Sequence, residues 1–218
     1  MKKRLTRFLP FLLAFTIALP SYSVFAEEEN QAKETQTNET NETQADETTA
    51  NDTLSLAAET AVLIDAASGE ILYDKDADKK MYPASITKLM TILLALENGK
   101  LTDEITFSHD AVYNIEPGSA HIAILEGETL TLEQVLRAII LRSANEASNG
   151  VAEYVDGSVE AFAKHMTERA KELGCTNTNF VNANGLFDEN HYTTASDMAK
   201  IAKSAWMNPL YRKFCTRR

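Results

Sequence analysis

Residues 27–53 read EEENQAKETQTNETNETQADETTANDT: nine acids, one lysine, and no aromatic or large aliphatic side chain. A segment with so little to bury cannot offset the entropy lost on ordering. It is expected to be a disordered acidic linker, and whatever folds in this chain of 218 residues must lie on either side of it. On the N-terminal side there is room only for a basic stretch (Met1–Arg7) and an apolar run from Phe11 to Leu19, followed by Pro20 and Val24-Phe25-Ala26. A charged start, a short apolar middle and small residues just ahead of a change in composition mark a secretory signal peptide. The apolar run is too short to span a bilayer comfortably, and no cysteine near the junction points to a lipid anchor. Residues 1–26 are therefore expected to be cleaved after Ala26. The folded part is expected in residues 54–218, exported from the cytoplasm, with no further run long enough to cross a membrane.

Beyond Ala26 the chain carries 32 acidic and 17 basic side chains. So acidic a surface repels phosphate backbones, which argues against nucleic acid as a partner. Cys175 and Cys215 are too few for a zinc cluster or a disulfide framework, and are expected to stay unpaired as small hydrophobes. His109, His121, His165 and His191 lack ligand spacing such as His-Glu-x-x-His and are expected to be ordinary core or surface histidines.

The patterning of residues 54–218 predicts an α+β domain. Thr60–Asp65 and Glu70–Asp74 are apolar, β-branched runs around Ala66-Ala67-Ser68-Gly69, the pattern of a β-hairpin. From Ala84 to Asn98, Ile86, Leu89, Met90, Leu93, Leu94 and Leu96 recur at helical spacing, after Pro83 and before Gly99. Lys100–Gly127 reads as loop, with strand-like pieces at Glu104–Phe107 and His121–Leu125. Thr131 and Gln134 fit a capping box for a helix to about Leu141. Further helices are predicted over Asn145–Val155, Val159–Leu173 and Ser196–Met207, the last closed by Pro209. No later strand is expected to extend the hairpin.

Ser85-Ile86-Thr87-Lys88 places a hydroxyl and an amine on one side of a helix. A serine hydroxyl is a weak nucleophile until a base takes its proton, and a lysine can be that base if burial disfavours its ammonium form. Ser85 is also expected in the first helical turn, where unpaired backbone N–H groups could stabilise an oxyanion. A Ser-x-x-Lys arises roughly once by chance in such a chain, so the surroundings decide its meaning.

The segment around it, PASITKLMT, resembles the active-site box of the serine penicillin-binding proteins, and specifically the low-molecular-mass D-alanyl-D-alanine carboxypeptidases of peptidase family S11. Ser143-Ala144-Asn145, in ILRSANEAS, resembles the family's Ser-x-Asn element. AVLIDAASGEILYDKDAD, LEGETLTLEQVLRAIILRSANEAS and FVNANGLFDENHYTTASDMAKIA resemble the family in the same order. The resemblance implies the serine β-lactamase/DD-peptidase-like fold, here an N-terminal hairpin plus a helical cluster with the C-terminal sheet strands missing. It implies that Ser85 forms the acyl ester, Lys88 accepts its proton, Ser143 helps pass a proton to the departing D-alanine, and Asn145 holds the substrate amide. The reaction implied removes the terminal D-alanine from peptidoglycan stem peptides, without metal or cofactor, at the cell wall or the outer face of the membrane. β-Lactams would acylate the same serine.

The family's third element, Lys-Thr-Gly, is not found in this sequence. Residues 54–218 are therefore expected to be a partial catalytic domain. By itself this unit is expected to be unstable or molten and nearly inactive, because a two-stranded hairpin leaves its edges exposed. A non-catalytic cell-wall binder stays open as an alternative. A class A β-lactamase is disfavoured, since no Glu-x-x-Leu-Asn lies between Asn145 and Ala205.

Overall fold

The computed structural model describes residues 56–216; the expected signal peptide (1–26) and acidic linker (27–53) lie outside the described residues. Strand β1 (Ala61–Ile64) pairs antiparallel with β2 (Ile71–Lys75), as two apolar, β-branched runs flanking a short turn predict. Their turn is tied by the Asp65 carboxylate, whose Oδ1 accepts the Ser68 N–H at 2.6 Å and the Ala67 N–H at 3.0 Å. The hairpin rests on a later helix, α6 (Ala195–Met207). Tyr73 is buried, while Leu63, Ile71 and Leu72 are each more than half exposed.

A 3₁₀ turn, Ala84–Thr87, leads directly into α1 (Lys88–Asn98). Every residue from Met90 to Leu96 is buried, and a helix that is apolar on all sides belongs in the interior. Ile86, expected on the apolar face, is instead 51% exposed because the 3₁₀ turn swings it outward.

Between Lys100 and Gly127 the chain is more ordered than its loop-like composition suggests. β3 (Glu104–Thr106) is followed by a short helix, α2 (His109–Tyr113), capped by Ser108 Oγ, which accepts the Ala111 N–H at 3.0 Å. β3 pairs not with His121–Leu125 but with β4 (Thr129–Thr131). The His121–Leu125 piece cannot run as a strand: Ala123 has φ +61°, and the Ile122 N–H is taken by a carboxylate. Thr131 then caps α3 (Leu132–Arg142) with the expected capping box to Gln134.

Helix α4 (Asn145–Asp156) is the centre of the helical cluster and packs against α1, α2, α3 and α5 (Val159–Glu172). Its small residues permit that close approach. Gly150 faces the Phe107 ring so tightly that an added Cβ would lie 2.3 Å from Phe107 Cε1. Pro209 does end α6, but it also opens a further helix, α7 (Pro209–Thr216), in the first-turn position where its missing N–H costs nothing. Cys175 is buried, Cys215 exposed, and both are free thiols.

Candidate active site

Ser85 lies in the 3₁₀ turn, ahead of the α-helix and not in its first turn as the spacing suggests. The tighter winding matters, because residues i and i+3 eclipse one another in a 3₁₀ helix. Ser85 and Lys88 are thereby brought to one side, with Lys88 Nζ 3.3 Å from Ser85 Oγ. Ser85 is exposed, whereas Lys88 is only 4% exposed. The turn begins at Ala84, held in the left-handed region at φ +48°.

The lysine is fixed from two other directions. Its Nζ donates to Asn145 Oδ1 at 2.8 Å and to the Asn184 carbonyl at 2.6 Å. An ammonium has three donors, and these two short bonds use two of them. The third position is aimed at Ser85. If Lys88 gives up one proton, the two remaining N–H groups keep their carbonyl partners and the lone pair faces the serine hydroxyl. Burial pushes the Lys88 amine down to about 8, against an opposing pull from Glu146. That brings a group normally protonated well above neutrality close to the working range of a general base.

Ser143 and Asn145 come from the junction of α3 and α4. Ser143 caps α3 in the left-handed conformation (φ 54°, ψ 34°). That bend turns its Oγ toward Ser85 Oγ, to which it donates at 3.0 Å. Two residues on, Asn145 opens α4, buried, with its Oδ1 accepting from Lys88. All four residues singled out by the sequence thus converge on one point.

Sequence reasoning missed the wall opposite. Residues 182–186 form a loop braced by its own amides: Asn182 Oδ1 accepts the Gly185 N–H at 2.7 Å, and Asn184 Oδ1 accepts the Leu186 N–H at 2.9 Å. The loop supplies the Asn184 carbonyl and lies directly on the 3₁₀ turn, where a Cβ on Gly185 would sit 1.9 Å from the Ala84 oxygen. Beneath it, Thr87 Oγ1 and His191 Nε2 are 2.8 Å apart, and His191 Nδ1 accepts the Val181 N–H at 3.1 Å. With Nδ1 an acceptor, the neutral ring must donate from Nε2. Burial pushes His191 down to about 4, so it is a neutral brace for the turn. The Asn-Gly pair in FVNANGLF marks a turn in the sequence, but nothing local shows what that turn touches.

An exposed serine, a buried lysine of lowered basicity and a second hydroxyl within hydrogen-bond reach are the equipment of a serine/lysine acyl-transfer site. The D-alanyl-D-alanine carboxypeptidase family, peptidase S11, matches residues 43–218, and the chain belongs to that family. It is 42% identical over 155 residues to D-alanyl-D-alanine carboxypeptidase DacF of Bacillus subtilis, covering 69% of this chain and 39% of that protein. It is 37% identical over 158 residues to D-alanyl-D-alanine carboxypeptidase DacC of Escherichia coli, covering 69% and 40%. Among solved structures, the D-alanyl-D-alanine carboxypeptidase DacD of Francisella tularensis superposes with a TM-score of 0.70 at 31% identity, covering 74% of this chain and 40% of that one. Penicillin binding protein 5 of Haemophilus influenzae gives 0.69 at 33% identity, covering 74% and 48%. The α+β fold is therefore that of the DD-peptidases, and the chain spans about two fifths of the length of the curated relatives it matches.

Proposed function

We propose that this chain carries the acylation half-site of a serine-type D-Ala-D-Ala carboxypeptidase, which removes the terminal D-alanine from peptidoglycan stem peptides. The observation that carries the reading is the placement of Ser85 Oγ between Lys88 Nζ at 3.3 Å and Ser143 Oγ at 3.0 Å. Lys88, as the neutral amine, takes the Ser85 proton while Oγ bonds to the carbonyl carbon of the penultimate D-alanine. The C–N bond to the terminal D-alanine then breaks, and the proton returns through Ser143 to the departing amine. Water hydrolyses the resulting ester and regenerates Ser85. Asn145, its Oδ1 engaged by Lys88, has its amide nitrogen free to hold the substrate peptide. β-Lactams are read by the same chemistry as acylating agents of Ser85.

The same reading makes residues 1–26 a signal peptide, 27–53 an acidic tether and 54–218 a partial catalytic domain working at the cell wall or the outer face of the membrane. Support comes from the basic-apolar leader and the acidic run.

The test is covalent labelling of the full chain with a fluorescent penicillin, alongside mass spectrometry of muropeptides incubated with it. Labelling that disappears in Ser85→Ala, with pentapeptides shortened to tetrapeptides, is the expected outcome. Retention of muropeptides without labelling or shortening would identify a non-catalytic wall binder instead.

A further inference from the structure

Glu146 has no part in the chemistry above, yet it is a carboxylate only 1% exposed, directly following Asn145. Its Oε1 accepts the Ile122 N–H at 2.6 Å, while the Asn145 N–H donates to the Ala120 carbonyl at 2.9 Å. The 119–125 loop is thus fastened at two points to the first turn of α4, beside the turn that presents Ser143 and Asn145. The other carboxylate oxygen, Oε2, is buried without a hydrogen-bond partner. A buried charge so incompletely satisfied is costly, and two features offset that cost. One is the positive end of the α4 dipole. The other is the buried Lys88 amine on α1, whose charged form Glu146 favours.

The surrounding groups narrow the assignment. Glu146 lines a cavity of about 330 Å³ together with Tyr113 of α2 and Glu116 and His121 of the following loop. The hydrogen-bond partners of Lys88, namely Ser85, Asn145 and the Asn184 carbonyl, are all uncharged. Among charged groups, the one that opposes the deprotonation of Lys88 is Glu146. We infer that Glu146 is a positioning residue whose carboxylate clips the 119–125 loop to the start of α4 and whose negative charge tempers the effect of burial on the Lys88 amine, so raising the pH above which Ser85 can be activated. This inference rests on Ser85 and Lys88 being the acyl-transfer pair.

Two variants of the full chain separate the two roles. Glu146→Gln keeps an oxygen for the Ile122 N–H and removes the charge; Glu146→Ala removes both. The titration of Lys88 Nζ followed by NMR should move to lower pH in Glu146→Gln, because the neutral amide no longer favours the ammonium form. Exchange of the Ile122 amide should stay slow in Glu146→Gln and quicken about tenfold or more in Glu146→Ala. The acid limb of fluorescent-penicillin labelling should follow the Lys88 titration downward in Glu146→Gln. A Lys88 titration that does not move in Glu146→Gln, or Ile122 exchange unchanged in a folded Glu146→Ala, overturns the inference. If Lys88 moves as expected but Ser85 is never labelled in parent or variant, the positioning role stands and the acyl-transfer reading falls.

Discussion

Gly185 sits where the 182–186 loop crosses the 3₁₀ turn, at φ +86°, and an alanine there meets two obstacles. Left-handed backbone costs a side-chain-bearing residue about 1–2 kcal/mol. The added Cβ would also lie 1.9 Å from the Ala84 oxygen and 2.5 Å from its carbonyl carbon, backbone atoms that cannot rotate aside. Restoring even 3.0 Å moves the loop outward by about 1 Å. A retreat of that size carries the Asn184 carbonyl from 2.6 Å to beyond hydrogen-bond range of Lys88. Losing a bond to a buried charge costs about 1.5–3 kcal/mol. The two effects together come to about 2.5–5 kcal/mol of local stability.

Gly157 provides the control, since it has φ +79° with nothing within 4 Å of an added Cβ, so Gly157→Ala should show only the backbone cost. Hydrogen exchange of the 182–187 segment reads the difference directly, because the Gly185 and Leu186 amides are bonded inside the loop. Protection there should fall by roughly 10²- to 10⁴-fold in Gly185→Ala and stay unchanged in Gly157→Ala. Equal protection of that segment in the two variants would refute the claim that the loop is seated on the turn by contact at Gly185.

Three further outcomes follow from the site. His191 is held near 4 in the fold against about 6.5 unfolded, so its contribution is present above pH 6.5 and is lost as pH falls toward 4; between pH 7 and 4.5 the parent should lose about 2 kcal/mol more than His191→Gln in denaturant titrations. Lys88→Met removes the base, so labelling by a fluorescent penicillin should fall at least about 10³-fold, and thermal stability should fall because Asn145 Oδ1 and the Asn184 carbonyl lose their shared donor and Glu146 loses a positive neighbour; unchanged stability would contradict the account of Lys88 as the tie between these groups. Ser143→Gly relieves a non-glycine residue at φ 54°, so the melting temperature should rise by a stabilisation of about 1 kcal/mol, and labelling should slow because the hydroxyl beside Ser85 is gone.

A molten unit is expected from the exposed edges of the hairpin, and the buried cluster lies elsewhere. The buried cluster is made by α1, α3, α4, α5 and α6, with Met90, Leu93, Leu136, Phe162 and Ile201 among its residues. The hairpin contributes little to it and presents Leu63, Ile71 and Leu72 to solvent. Its amides should therefore exchange faster than those of α1 and α4, measurable in the same exchange experiment.

Short-range features are legible in the sequence. Apolar, β-branched runs on either side of Ala66–Gly69 mark the hairpin, the apolar spacing after Pro83 marks α1, and Thr131 with Gln134 marks the start of α3. Those signals are interactions between near neighbours in sequence, so a linear reading can find them. Glu104–Thr106 shows the limit. Its strand character was visible, but its partner was not, because pairing with Thr129–Thr131 depends on how Ala123 and Ile122 are bent away by the fold.

The amino-acid order alone determined that a serine and a lysine three apart would share one side of a turn, and that a second hydroxyl and an amide would stand at a helix junction. Only the tertiary structure decided that they meet. Lys88 reaches Asn145 across 57 residues and Asn184 across 96, Ser143 reaches Ser85 across 58, and His191 braces Thr87 across 104. Such bonds carry no periodic or local signature. Their partners are a backbone carbonyl, a neutral ring and a glycine that matters for what it leaves out, and packing alone brings those groups within reach of the lysine and its turn.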